Sequence, residues 1–165
     1  MPATQRPRRS ALFMPASNAR ALEKVKSLAA DVIVMDLEDA VAPDKKDIAR
    51  QQAVAAVRGG GYGGREMVIR ANGVGTPWYE ADLKAIAGSG ADAVLLAKVE
   101  SAGDVHGAEH LLASGGAPDG LSIWCMIESA RGVLMAAEIA AASPRIGALV
   151  MGTSDLTKDL QAHHT

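Results

Sequence analysis

Six short runs rich in Val, Ile, Leu and Met recur along the chain, at 10–17 (SALFMPAS), 31–39 (DVIVMDLED), 66–72 (EMVIRAN), 92–100 (DAVLLAKVE), 121–128 (LSIWCMIE) and 146–155 (IGALVMGTSD). Most are apolar throughout instead of alternating, as strands covered on both faces should be. Between them, Ala-rich segments at 19–29, 46–57, 79–87, 103–113 and 131–142 show helical spacing of apolar residues. Successive runs start 21 to 35 residues apart, enough for one strand and one crossover helix. The pattern therefore predicts an α/β fold with a parallel sheet.

Two parallel architectures are compatible with this order, an open doubly wound sheet and a barrel. No G-x-G-x-x-G follows the first run, which argues against a dinucleotide fold. The glycine-rich stretch 59–64 lacks a following G-K-[ST] and precedes a strand, so it reads as a turn and not as a phosphate cradle. A complete (β/α)₈ barrel takes about 250 residues. At 165 residues, the barrel reading predicts a partial TIM barrel of about six βα units, with the last strands missing. It divides the chain into a basic N-terminal arm, 1–9, and an incomplete barrel domain, 10–165.

Composition changes this picture little. The formal net charge is −2, with 48% hydrophobic and 22% charged residues, giving no reason to expect nucleic acid or an anionic membrane as partner. No stretch approaches the ~18 consecutive apolar residues of a membrane span. The arm carries Arg6, Arg8 and Arg9 but no long apolar run, so it is expected to be a solvated tail and not a secretory signal. One cysteine, Cys125, lies inside an apolar run and reads as a core residue. A lone cysteine cannot form a disulfide within the chain, which fits a cytoplasmic location.

Candidate chemistry appears where polar residues interrupt the runs. Glu38 and Asp39 close the second, Arg70 and Asn72 the third, and Lys98 and Glu100 the fourth. Glu128 closes the fifth, and Asp155 follows Gly152 after the sixth. All lie at C-terminal strand ends, where a parallel barrel assembles its active site. Asp31, Glu66 and Asp92, at the opposite ends, read as ordinary turn residues. Taken singly, Asp155 could cap the next helix and Glu128 could simply leave the sheet into solvent. Five successive charged strand ends that must converge argue otherwise.

Converging carboxylates repel one another and raise their own pKa values unless a cation is present. Arg70 and Lys98 supply positive charge, and oxygen-only ligands favour Mg²⁺ or Mn²⁺ over zinc. His106 and His110 have the i, i+4 spacing of a metal pair but fall on the fourth helix, away from the strand ends. His163 and His164 fall at the C-terminus. G-T-S-D is not G-x-S-x-G and no histidine ends another strand, which argues against serine-hydrolase chemistry. Gly152, Thr153 and Ser154 are expected to offer backbone N–H groups to an anionic substrate at a helix start.

The blocks RSALFMPASNARALEK, DVIVMDLEDAV, MVIRAN, LAKVES, MIESARGV and MGTSDLTKDL, in this order, resemble one known group. It comprises the citrate lyase β-subunit, malyl-CoA lyase and β-methylmalyl-CoA lyase, within the HpcH/HpaI aldolase superfamily. The resemblance runs from about Ser10 to the end of the chain. It implies that Glu128 and Asp155 ligate Mg²⁺, and that Arg70 binds the oxo-acid portion of the substrate. It also implies that Glu38 and Asp39 contact the metal's waters and orient Arg70, while Arg20, Lys24 and Lys45 meet coenzyme A phosphates.

The activity implied is Mg²⁺-dependent cleavage or formation of a carbon–carbon bond. The substrate would be a 3-hydroxyacyl-CoA such as malyl-CoA, citramalyl-CoA or citryl-CoA, and the products an acyl-CoA and an oxo acid. The resemblance further implies homo-oligomeric full-length relatives, with later strands and a C-terminal lid that this chain lacks. Two alternatives stand beside it. One is a class II pyruvate aldolase of the same superfamily, although the histidine usual near its start is absent. The other is a noncatalytic fragment that folds with a partner chain.

Overall fold

The computed structural model describes residues 6–163. Six parallel strands form one sheet in the order β1-β2-β3-β4-β5-β6. They are β1 Ala11–Pro15, β2 Val32–Asp36, β3 Glu66–Arg70, β4 Ala93–Leu96, β5 Ser122–Ile127 and β6 Ile146–Met151. The crossovers carry α1 Ala19–Lys24, α2 Lys46–Gly59, α3 Tyr79–Ala87, α4 Ala102–Ser114, α5 Ala130–Leu134 and α6 Ala136–Ala141. A seventh helix, α7 Thr153–Asp159, follows β6. Asn18 caps α1 by accepting from Ala21 N–H, and Ser101 with Asp104 forms a capping box on α4.

The helices depart from the expected pattern in two places. The predicted first helix ends at Lys24 and tightens into a 3₁₀ turn, Val25–Ser27. The predicted helix over 131–142 is broken at Met135 (φ −94°, ψ 5°) into α5 and α6. Backbone bonding continues through that break, from Met135 N–H to Arg131 O and from Ile139 N–H to Met135 O. The stretch 59–64 is the turn the sequence suggested, with Gly60, Gly61 and Gly63 all at positive φ.

Alternate residues of the strands face opposite sides of the sheet. Ile33, Met35, Ile69, Val94, Leu96, Ile123 and Cys125 pack with the helices in the larger apolar cluster. Val32, Val34, Val68, Ala93, Leu95, Trp124 and Met126 form a second cluster on the other face. Burial pushes the Cys125 thiol up to about 12, as befits an inert core residue.

Two charged bridges show that the sheet curls around this second cluster. On a flat sheet β3 and β6 would lie about 14 Å apart, three strand spacings. Instead the Arg8 guanidinium donates both to Glu66 of β3 (2.7 Å) and to Gly147 O of β6 (2.7 Å). At the opposite rim, Lys98 Nζ reaches Glu38 beyond β2 (2.6 Å) and Asp155 beyond β6 (3.0 Å).

The arm is therefore more than a solvated tail. Arg6 pairs with Asp92 at 2.7 Å, Arg8 with buried Glu66, and Arg9 with Asp31 at 2.8 Å. Arg8 also lies over the Trp124 ring, 4.5 Å from its centroid. The three acids at the strand starts, expected to be plain turn residues, are the arm's docking points. Residues 1–5 of the arm lie outside the described residues.

Removing Arg8 strands a buried carboxylate, whereas removing the exposed Arg9 frees a half-buried one. Arg8→Ala is expected to lower unfolding free energy in urea by about 1–3 kcal/mol, between the values of exposed and buried pairs. Arg9→Ala should cost less than Arg8→Ala at neutral pH, because the Arg9 side chain is largely exposed. Hydrogen bonding to the Arg9 guanidinium holds the Asp31 carboxyl down at about 2, below its ordinary 3.8. A depressed carboxylate stabilises above its unfolded pKa, so that contribution is lost as pH falls from about 4 to about 2. Acid unfolding followed by circular dichroism should be shallower across this window in Arg9→Ala.

Candidate functional site

Adjacent strands bring Asp36 and Arg70 level, as register partners at the C-terminal ends of β2 and β3. Both side chains are buried. Arg70 Nε donates to Asp36 Oδ1 (2.7 Å) and Nη2 to Oδ2 (2.6 Å), a planar fork on a carboxylate. Burial alone would lower the Arg70 pKa, but the bonds to Asp36 and the charges of Asp36, Glu38 and Asp39 hold it above its usual value. Asp36 also accepts from Glu38 N–H (2.8 Å) and Ala40 N–H (3.0 Å), which shapes the loop after β2.

Glu38 is buried beside this fork. Its Oε2 lies 2.9 Å from Arg70 Nη1, yet no N–H is aimed at it and the atom has no hydrogen-bond partner. Lys46 supports the same loop from below, its Nζ donating to Leu37 O (2.8 Å) and Glu38 O (2.7 Å). Burial lowers the Lys46 pKa. Asp39 is 60% exposed and 4.0 Å from Arg70 Nη1, so it stands at the rim and contributes little to orienting Arg70. That orientation comes chiefly from Asp36.

Glu128 follows β5 and is buried; it does not escape into solvent. Its Oε1 accepts the Lys98 N–H at 2.9 Å. Burial raises its pKa; the Lys98 N–H and ammonium oppose that, while the charges of Glu38 and Asp155 add to it. A Cβ at position 152 would sit 2.5 Å from Glu128 Oε2, so only glycine allows this approach. Asp155 is the third residue of α7 and serves as no cap; α5 is capped instead by Ser129 Oγ. Asp155 shares with Glu128 a cleft of about 440 Å³, also lined by Lys98, Glu100, Ser129, Lys158 and Asp159. A second cleft of about 330 Å³, with Glu38, Asp39, Asn72, Thr76 and Trp78 in its walls, adjoins at Lys98. Asn72 is held there by buried Asp82, which accepts from both its side-chain and backbone N–H groups.

Among the described residues no three His, Cys, Asp or Glu side chains enclose a metal. The donor set is two carboxylates around an open cleft, with Glu38 joined to Asp155 through the Lys98 ammonium. That fits a hard divalent cation which keeps several waters, as magnesium does.

The model of the HpcH/HpaI aldolase/citrate lyase family matches residues 9–165. The chain belongs to that family. A (3S)-malyl-CoA thioesterase from Cereibacter sphaeroides is 47% identical over 96% of the chain and 53% of its own length. An L-malyl-CoA/beta-methylmalyl-CoA lyase of the same species is 40% identical over 94% and 51%. The chain thus spans about half the length of the curated relatives it matches. Protein CitE from Mycobacterium tuberculosis, solved with magnesium, acetoacetate and coenzyme A, is 31% identical. It superposes with a TM-score of 0.75, covering 96% of the chain and 54% of CitE.

Within this family framework the expected site residues fall into two groups. Arg70, Glu38, Asp39, Glu128 and Asp155 gather at the C-terminal rim, linked through Lys98 or through Arg70 itself. Arg20 and Lys24 are exposed on α1, and Lys45, in a 3₁₀ turn, lies 3.6 Å from Asp44; none of the three lines either cleft. Thr153 and Ser154 are exposed at the start of α7. Gly152 cannot serve as the expected donor, because its N–H is already bonded to Ile127 O (2.9 Å). His106 and His110 are exposed on α4, and a His106 ring nitrogen is 3.1 Å from Ala142 O. His163 is exposed, and His164 lies outside the described residues.

Sequence reasoning missed Asp36, Lys46 and Asp82. Asp36 had a findable signal: two residues before Glu38, it shares the inward face with Val32 and Val34. Asp36→Asn is expected to lower unfolding free energy in urea by about 3 kcal/mol, since it breaks a buried pair and strands Arg70. Asp39→Asn, at the exposed rim, should leave the same midpoint nearly unchanged.

Proposed function

We propose that the chain carries a magnesium-dependent site that cleaves or forms the carbon–carbon bond of a 3-hydroxyacyl-CoA such as malyl-CoA. The observation that carries this reading is the convergence of Arg70, Glu128 and Asp155 on one rim of the curled sheet. A magnesium ion held by Glu128 and Asp155 would supply a Lewis acid for the hydroxy- or oxo-acid oxygens. Manganese would suit the same oxygen donors.

The chain's own groups account for the rest of the recognition. Arg70, with Nε and Nη2 fixed by Asp36, has Nη1 beside Glu38 but not hydrogen-bonded to it, leaving the Nη1 N–H groups for the substrate carboxylate. Because that guanidinium is already oriented, little reorganisation is needed as negative charge grows on the oxo-acid oxygens. In the cleavage direction the substrate hydroxyl loses its proton and the adjacent carbon–carbon bond breaks. The electron pair moves into the thioester enolate, which is then protonated at its α carbon. Asp39, exposed at the rim near Arg70 and Lys98, would exchange the hydroxyl proton with solvent. Thr153 and Ser154 are left as donors for the anionic end, and Arg20, Lys24 and Lys45 as outlying basic groups for coenzyme A phosphates.

Thioester hydrolysis is the second reading, favoured by the 47% identity to a malyl-CoA thioesterase. Both reactions would hold the same hydroxy-acid end and differ in the bond that breaks. Carbon–carbon cleavage of malyl-CoA releases glyoxylate and acetyl-CoA; hydrolysis consumes water and releases malate and the free thiol. Incubation with malyl-CoA and Mg²⁺, with phenylhydrazine to trap glyoxylate and a thiol reagent to detect coenzyme A, separates the two. Glyoxylate without free thiol is the expected result, and thiol without glyoxylate overturns it. Asp155→Ala should lower turnover at least about 100-fold, beyond the loss typical of groups that only support a metal ligand. Arg70→Lys should lower kcat/KM by about 100-fold, the cost of losing an oriented donor.

A further inference from the structure

Lys98 joins features that the proposed reaction does not use. Its backbone is left-handed (φ 53°), a conformation only a few per cent of non-glycine residues adopt. The turn is secured on both sides, by Lys98 N–H to Glu128 Oε1 (2.9 Å) and Val99 N–H to Met126 O (3.1 Å). It ends β4 early, at Leu96, and sends the side chain across the mouth of the curled sheet. There the ammonium lies 2.6 Å from Glu38 Oε1, 3.0 Å from Asp155 Oδ2 and 3.9 Å from Asp39 Oδ2. Through its N–H and its Nζ, one residue thus touches both carboxylates assigned to the metal.

We propose that Lys98 is a built-in counter-cation of the metal site, whose ammonium and the divalent ion compete for Asp155. The inference rests on the metal role proposed for Glu128 and Asp155. A divalent ion bound within about 2.1 Å of a carboxylate oxygen would stand close to an ammonium held on the same group, and the like charges would repel. The Lys98 side chain is 47% exposed on a flexible four-carbon stem, so it can swing into water without burying charge. Without a divalent ion, its ammonium keeps Glu38 and Asp155 from repelling each other. Lys98 also lines both clefts, so the swing that admits the ion joins the two into one trough.

Mn²⁺ titration of chelator-treated protein, reading the free-ion EPR signal, tests this without an activity assay. Lys98→Gln and Lys98→Asn remove the charge, and asparagine tolerates the left-handed backbone. Both are expected to bind Mn²⁺ about tenfold more tightly than the wild type, within the usual range of coupling between sites. Lys98→Arg keeps the charge and should bind close to wild type. The chelated neutral variants should melt below the wild type, with the gap closing at saturating Mn²⁺. Loss of a merely structural lysine would not tighten metal binding. Unchanged or weaker affinity in both neutral variants, with normal binding by the wild type, overturns the inference alone. Absence of Mn²⁺ binding in the wild type and every variant removes the metal reading and the inference together.

Discussion

A carboxylate buried at the end of a parallel strand is tolerated only where a cation or an aimed N–H meets it. Both rims of this sheet are built around that constraint. At the strand starts, Glu66 is buried and Arg8 comes from the arm to meet it, with Arg6 and Arg9 on the neighbouring acids. At the strand ends, Asp36 and Glu38 are buried with Arg70, and Lys98 spans from Glu38 to Asp155. Backbone pairing joins each strand to its neighbour, whereas the Arg8 and Lys98 spans join β3 to β6 and the end of β2 to the end of β6, which share no ladder. The curl of the sheet is thus tied by charge at both ends of its inner apolar cluster.

That arrangement separates stability from chemistry along one axis. The inner cluster of Val32, Val34, Val68, Ala93, Leu95, Trp124 and Met126 fills the middle, as side chains fill the interior of a barrel. The charges below are closed pairs, with Arg8 hydrogen-bonded on both sides. The charges above are incompletely matched: a buried Glu38 oxygen has no hydrogen-bond partner, and Glu128 has its pKa raised by burial. Incomplete matching is what a site that binds a cation and an anion in turn requires, because full internal pairing would leave nothing for the ligands.

The fold was legible because its signals are local and repeated. Continuous apolar runs, helical Ala-rich segments and a steady spacing each point to βα units, and curling a parallel sheet needs no further code. Charged strand ends were legible for the same reason, since they punctuate apolar runs. What stayed hidden depends on curvature. Arg8 and Glu66 are 58 residues apart, and nothing in either segment says that an arm and a third strand will meet. Lys98 shows only as one more charge until its left-handed backbone aims it across the mouth. Gly152 shows why a backbone donor is hard to assign from sequence. Its N–H extends the β5–β6 pairing to Ile127 O, and its lack of a side chain serves Glu128 instead.

The two Cereibacter relatives, one named a thioesterase and one a lyase, both carry malyl-CoA in their names. The geometry of the rim offers a physical reason for such a pairing within one family. Arg70, Glu128 and Asp155 would grip the hydroxy-acid half of the substrate, which is common to both reactions. The choice between them would then turn on whether water reaches the thioester carbonyl before the carbon–carbon bond yields. Under the proposed reading, that access would fall to the cleft around Lys98, Lys158 and Asp159, where Asp159 pins the start of α5 through Ala130 N–H (2.7 Å). Recognition and bond choice would thus fall to different parts of one rim. Relatives could share the first and diverge in the second without rebuilding the buried fork that holds Arg70.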